Sequence, residues 1–336
     1  MSEKYNIAVV GASSALGKAV IELLEERDFP VGNLLAVEVS EQEDASVLFQ
    51  TKNIAITAAK EVEWSNVNIA FFCDSNDTSL AHAPLAADAG VAVIDATSAF
   101  NKRPEIPMVI PHINGDAIAD FRNANIIISP SASVVQLWTV LKPIYDNVGI
   151  SRISVTCHHS VSSAGNLGIN ELARQCGKLL NGLQVEDNPF SAQLAFNNLP
   201  TVGVLQESGL TDIEEQLIEQ SVKLLGDNAV MINPTSVMTS VFYGLAQSVS
   251  IETINPVEAQ DVQMWLADVD QVEHDSTHQP TQVGDANGSE FIHVGRLRQD
   301  PSHPHGINLW SVADNIRTTA ALNCLKIAES LSRDFY

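Results

Sequence analysis

The first thirty residues constrain the fold most. Residues 6–10 form a short apolar run, Gly11-Ala-Ser-Ser-Ala-Leu-Gly17 follows, and residues 18–26 place Ala19, Val20, Leu23 and Leu24 at helical spacing. A strand that passes through a glycine-bracketed turn into a helix opens a βαβ unit, and such units build a parallel sheet covered by crossover helices. Residues 34–39, 54–56, 68–73, 91–95 and 125–129 are further strand candidates. Together they suit a doubly wound sheet.

Beyond about residue 130 the pattern changes. A helix is expected across residues 134–146, with Pro143 kinking or ending it because proline lacks the N–H a helix needs. Residues 153–159 read as a strand, 167–180 as an amphipathic helix, and 229–236 and 241–252 as strands with few helices between. This describes an α+β second domain. Residues 308–335 end in a helix long enough to pack back on the first domain, and the acidic, Gly- and His-rich stretch 271–288 reads as a surface loop. The expected division is 1–130 plus 311–336 for one domain and 131–310 for the other.

Charge narrows the partners. The 336 residues carry 18 Lys+Arg against 41 Asp+Glu, a formal net charge of −23. Nucleic-acid and anionic-membrane surfaces are bound through clustered cations, so neither partner is expected. An anionic metabolite would also need local cations that this chain has few of. Cys73, Cys157, Cys176 and Cys324 show no metal-ligand or CxxC spacing and read as reduced thiols of a cytoplasmic protein, and no run approaches membrane-spanning length.

The turn at 11–17 sets backbone N–H groups at a helix N-terminus, where a pyrophosphate binds. Ser14 puts a Cβ where a glycine would allow the closest approach, and the same residues also make an ordinary tight turn. Glu38, at the end of the second strand, is placed to hydrogen-bond ribose hydroxyls and repel a 2′-phosphate, which favours NAD over NADP; the alternative is a solvated strand-end carboxylate.

Seven stretches, in order and spacing, carry a family likeness: Val10-Gly-Ala-Ser-Ser-Ala-Leu-Gly17, Leu24-Glu-Glu-Arg-Asp-Phe-Pro-Val31, Val93-Ile-Asp-Ala-Thr-Ser-Ala-Phe100, Ser129-Pro-Ser-Ala-Ser-Val-Val-Gln136, Leu194-Ala-Phe-Asn197, Val294-Gly-Arg-Leu-Arg298 and Asn308-Leu-Trp-Ser-Val-Ala-Asp-Asn-Ile-Arg317. Over nearly its whole length the chain resembles aspartate-semialdehyde dehydrogenases. The resemblance implies an α/β fold: an N-terminal Rossmann-like dinucleotide-binding domain and a C-terminal α+β dimerisation domain, of the semialdehyde dehydrogenase and glyceraldehyde-3-phosphate dehydrogenase kind. It implies a homodimer, with hetero-association with an active paralogue as a further partner.

The family reaction is the NADPH-dependent reductive dephosphorylation of aspartyl phosphate, through attack of a cysteine thiolate, proton handling by a histidine, and hydride reduction of the thioester. Carried over position by position, the resemblance puts Ser131-Ala132 where the family has Asn-Cys, His159 at its supporting glutamine, and Leu245 at its histidine. The acyl-phosphate arginine falls on Asn101, the nearby lysine on Gln216, the carboxylate-binding arginine on Met238, and the NADP 2′-phosphate arginine on Val39. Gln136, Glu214, Asn315 and Arg317 are kept. Cofactor contacts are expected from Gly11, Ser13, Ser14, Ala15, Leu16, Gly17, Glu38 and Asn315.

Joint loss of nucleophile, base and cations makes the chain similar to the catalytically degenerate Usg-type paralogues, acting by binding a ligand or a protein. The other reading is an NAD-dependent oxidoreductase for a neutral aldehyde with His159 as the acid, and the third a conventional aspartate-semialdehyde dehydrogenase. Ser131 and Ser133 are substitute nucleophiles or, more simply, helix caps. Cys157 and His159, alternate residues of one strand, share a face and with His112 could make a metal site; the plainer reading is that His159 fills a cleft. No metal is expected.

Overall fold

A computed structural model describes residues 4–39 and 45–335. Of the stretches expected to form the first domain, residues 1–3, 40–44 and 336 lie outside it. The chain divides into two compact units, Met1–Ser131 with Thr319–Tyr336, and Ala132–Thr318.

The first unit contains β1 (Tyr5–Val10), α1 (Ala15–Glu26), β2 (Val31–Glu38), β3 (Ser46–Phe49), β4 (Lys52–Ala58), β5 (Ile69–Phe72), α2 (Asn76–Asp88), β6 (Ala92–Asp95), α3 (Pro111–Asn114) and β7 (Ile126–Ile128). Its sheet order is β3-β4-β2-β1-β5-β6-β7. β4, β2, β1, β5, β6 and β7 pair in parallel. β5, β6 and β7 are buried at every residue, which suits strands covered on both faces. The edge strand β3, absent from the sequence reading, pairs antiparallel with β4 and alternates exposed and buried residues, as a half-covered strand does. Helix α1 starts at Ala15, earlier than residue 18, because the Ser14 side chain accepts the Gly17 N–H and caps it.

The second unit contains α4 (Ala132–Val148), β8 (Ile150–His159), α5 (Gly165–Leu180), β9 (Asn198–Leu199), α6 (Asp212–Leu225), β10 (Met231–Thr239), β11 (Leu245–Thr253), α7 (Ala259–Ala267), β12 (Val272–His274), β13 (Ile292–Gln299) and β14 (Gly306–Ala313). A mixed seven-stranded sheet, ordered β12-β13-β14-β11-β8-β10-β9, forms its centre. Pro143 lies inside α4 and does not end it. Burial of Leu137, Trp138, Leu141 and Ile144 holds the helix through the one hydrogen bond proline cannot make. The Trp138 indole N–H donates to Ser221 Oγ at 2.8 Å and ties α4 to α6.

Three expectations are corrected here. β11 begins at Leu245, not 241, because Gly244 takes φ +92 and turns the chain. Helices α6 and α7 lie in stretches to which the sequence reading assigned no element; Thr211 and Glu214 form a reciprocal cap at the start of α6 that the sequence already spelled. The stretch 271–288 is not wholly a loop: Val272 is buried in β12, which pairs with β13, and Gln282–Ala286 form a helical turn capped by Thr281.

The terminal helix α8 (Leu322–Asp334) belongs to the first unit. Its buried Asn323 donates to Val109 O at 3.1 Å and Ser129 Oγ at 2.8 Å. β14 stays in the second unit because it pairs with both β11 and β13. Among the described residues no helix is long and apolar enough to cross a membrane.

Candidate functional site

In the first unit the chain leaves β1 at Gly11, whose φ of +80 an L side chain rarely adopts. Its N–H donates to Val37 O at 2.8 Å, holding the turn against β2. Ser14 Oγ accepts the Gly17 N–H at 2.9 Å and donates to Cys73 O at 3.0 Å. Ala15 and Leu16 lie half-buried in the first turn of α1. At Gly17 an added Cβ would stand 2.1 Å from the Gly11 carbonyl oxygen, so the helix rests on the turn at a distance only glycine allows.

Glu38 is 8% exposed, and its Oε1 accepts both the Ser13 N–H at 2.7 Å and the Ser13 hydroxyl at 2.6 Å. It is therefore not a solvated carboxylate. Its carboxylate thus closes onto the turn itself. Val39, next to it, is exposed. Asn101 lies elsewhere in this unit, on a turn where its N–H donates to Ser98 O at 3.3 Å.

In the second unit, sheet register brings three of the family positions into one row. Met238 on β10 pairs with His159 on β8, and His159 pairs with Leu245 on β11. All three are buried, at 6%, 7% and 1% exposed. The next row on the same face is Ser236, Cys157 and Gln247, and Ser311 on β14 continues it. Above these rows Gln247 Nε2 donates to Ser133 O at 2.8 Å and Gln136 Nε2 to Ser311 Oγ at 2.9 Å, so the first turns of α4 are tied down over the sheet. Ala132, half-buried, is the first residue of α4, and half-buried Ser131 precedes it as the last residue of the first unit.

Glu214 stays buried, with Oε1 accepting the Ser236 N–H at 2.6 Å and Oε2 the Thr211 N–H at 2.8 Å. Both oxygens are thus committed to backbone. Gln216, half-buried, follows on the same helix. Asn315 lies in the second unit, where Oδ1 accepts the Gly244 N–H at 2.9 Å and the Ser162 hydroxyl at 3.1 Å; it pins the turn before β11. The Arg317 N–H donates to Asp314 Oδ1 at 2.8 Å, and its guanidinium to Glu290 at 3.2 Å.

Protonation follows from burial. Burial pushes the Cys157 thiol up to about 12 and the His159 imidazole down to about 4, while the half-buried His158 is also lowered. At neutral pH these two rows therefore hold a protonated thiol and an uncharged imidazole, and neither is an activated nucleophile or a strong base. Cys157 and His159 do share the buried face of β8, but among the described residues no group of three or more His, Cys, Asp or Glu is placed to hold a metal. Cys157 was placed on the face of His159 by strand alternation, whereas Gln247 and Ser311 escaped the sequence reading because only strand register sets them beside these two residues.

The lowered His159 value carries a stability consequence. Its folded value lies below the unfolded one, so stability is intact above about pH 6.5 and is lost as pH falls toward 4, by about 3 kcal/mol in total. Urea titrations across pH 7 to 4 are expected to show this loss in the native chain and its absence in His159→Gln.

Comparison with known proteins places these two units. Residues 6–121 match the model of the semialdehyde dehydrogenase NAD binding domain, and residues 141–318 that of the semialdehyde dehydrogenase dimerisation domain. The chain is 45% identical over 338 residues to an aspartate-semialdehyde dehydrogenase of Shewanella sp. (strain DB6705), and 45% identical over 337 residues to aspartate-semialdehyde dehydrogenase 2 of Vibrio cholerae, with both chains covered in full in each case. The crystal structure of aspartate semialdehyde dehydrogenase II from Vibrio cholerae complexed with ASA superposes with a TM-score of 0.97 over 100% of both chains. With both domain models matched and full-length relatives at this identity, the chain belongs to the aspartate-semialdehyde dehydrogenase family.

Proposed function

We propose that this chain keeps the family's nucleotide-binding and dimerisation domains but does not perform the thiol-dependent acyl step, and that it acts as a homodimer by binding a ligand, NAD foremost, or a protein such as an active paralogue. The carrying observation is Ala132 at the head of α4, with Leu245 and Met238 in the row beneath. A methyl group cannot form an acyl-enzyme, a leucine cannot move a proton, and a methionine cannot pair with a carboxylate. Ser131 and Ser133 supply no substitute: a hydroxyl needs an adjacent base, and the imidazole of the row, His159, is held uncharged and weakly basic.

A second reading, a working aspartate-semialdehyde dehydrogenase, is favoured by the 45% identity to relatives that carry that name. Turnover of aspartate semialdehyde with phosphate and NAD or NADP decides between the two. The proposal expects rates at background for the pure protein, and a rate near that of the Vibrio cholerae relative would overturn it.

Cofactor choice rests on Glu38, which holds Ser13 of the turn, and on Val39, which carries no positive charge. A 2′-phosphate brought beside that carboxylate is repelled and finds no cation. Calorimetry is expected to give NAD at least about tenfold tighter than NADP, a difference of about 1.4 kcal/mol. Equal affinities would remove Glu38 from the account.

A further inference from the structure

At the β12 edge of the second unit's sheet a serine, a histidine and a carboxylate stand in line. Parallel pairing of β12 with β13 sets Glu273 beside His293, and His293 Nδ1 lies 3.2 Å from Glu273 Oε2. On the other side of the ring, Nε2 lies 2.9 Å from the hydroxyl of Ser289, four residues earlier at the entry to β13. The carboxylate favours the ring proton on Nδ1, which leaves Nε2 to accept the Ser289 proton. A nucleophile, a base and an orienting acid in this sequence of contacts are the arrangement that activates a serine.

The serine is held on several sides and remains half-buried. Its N–H donates to Ala286 O at 3.1 Å, its carbonyl accepts from the Thr318 hydroxyl, and its Oγ accepts the Phe291 N–H at 3.0 Å. Gly288, just before it, takes φ +75 and has nothing within 4 Å of an added Cβ, so space is open beside the hydroxyl's own residue. His293 and Glu273 also border a cavity of about 310 Å³. The surroundings select the substrate. The N–H groups of Gly288, Ser289 and Phe291 are already taken, by Asp314 Oδ2, Ala286 O and Ser289 Oγ. No adjacent pair of N–H groups in residues 288–291 is therefore open to an oxyanion, and the substrate must bring a good leaving group, as an activated ester does and an amide does not. Asp275 and Asp285 share the cavity with Glu273 and repel an anionic ester.

We propose that Ser289, His293 and Glu273 form a hydrolytic site for small, uncharged, activated carboxylic esters. Ser289 Oγ bonds to the acyl carbon while its proton passes to His293 Nε2, and the bond to the leaving alcohol breaks as that proton is handed to the alcohol oxygen. Water then gives a proton to the same imidazole and attacks the acyl carbon; the bond to Oγ breaks, and the imidazole returns the proton to Oγ. Ser289 and His293 are the catalytic residues, and Glu273 is a positioning residue that holds the ring.

A fluorophosphonate and p-nitrophenyl acetate are the probes. The native full-length protein is expected to gain one fluorophosphonate adduct, which peptide mass mapping puts on Ser289, and to lose its p-nitrophenyl acetate hydrolysis as the adduct forms. Ser289→Ala and His293→Gln are each expected to lower kcat/KM at least about 10²-fold. Glu273→Ala is expected to lower kcat at least about tenfold with KM unchanged, and Glu273→Asp to recover most of that loss. The adduct experiment needs no variant to fold: a native chain that takes up no probe, or takes it up with Ser289 untouched, overturns the proposal and leaves a hydrogen-bond chain that only holds the turn. Ester hydrolysis that survives undiminished in folded Ser289→Ala overturns it as well. None of these results bears on the non-catalytic reading of position 132, which the dehydrogenase assay tests separately.

Discussion

Ala132→Cys is expected to gain a reactive thiol and no turnover. Position 132 is half-buried at the head of a 17-residue helix, where the helix N-terminus lowers a thiol's pKa, so the variant should be alkylated by iodoacetamide at a rate the native chain does not show. Its dehydrogenase rate should still lie at least about 10³-fold below that of the Vibrio cholerae relative, because residues that act as a unit are grossly non-additive. Leu245 offers no proton acceptor, and Met238 and Gln216 offer no charge to hold phosphate or carboxylate. Combining Ala132→Cys with Leu245→His, Met238→Arg and Gln216→Lys should raise the rate at least tenfold above the single variant, provided unfolding curves show that the polar groups placed in this buried row are tolerated. A single variant within tenfold of the relative would mean that one missing atom, and not a dismantled site, silences the chain.

Gly17→Ala is expected to cost about 2–4 kcal/mol of stability and to abolish dinucleotide binding in whatever fraction stays folded. The added methyl meets the Gly11 carbonyl oxygen at 2.1 Å and Ala12 Cα at 3.0 Å, all backbone, so no side chain can swing away. Separating α1 from the turn to make room also moves the capping bond from Gly17 to Ser14. Gly177→Ala is the control: it lies inside α5 with nothing within 4 Å of the added Cβ, and should leave stability unchanged or raise it by up to about 1 kcal/mol. A mild Gly17→Ala would show that the turn yields, and would weaken the phosphate-loop reading of residues 11–17.

Much of this was legible because the signals are local. Strand, glycine turn and apolar helix spacing announce a parallel sheet from residues 6–26 alone, and the seven motifs carry the family with its two domains. The edge strand β3 escaped because four residues are too few to establish an alternation, whereas α6 was readable both in the capping pair Thr211 and Glu214 and in the helical spacing of Ile213, Leu217 and Leu224, and was overlooked. Residue-by-residue carry-over could name Met238, His159 and Leu245 but not that they stand side by side. That fact depends on how β10, β8 and β11 pair, and pairing is non-local. Glu38 illustrates the same limit: its place at the end of β2 was readable, its two bonds to Ser13 were not.

Intact-mass measurement of the native protein, incubated with aspartate semialdehyde and, in parallel, oxidised NAD or oxidised NADP in the absence of phosphate, tests the central claim most directly. Without phosphate a competent family member would accumulate its acyl-enzyme. The chain's mass is predicted to gain no adduct that depends on the oxidised cofactor, because nothing at position 132 can carry an acyl group; an adduct that forms only with the cofactor present and that hydroxylamine removes would contradict the account.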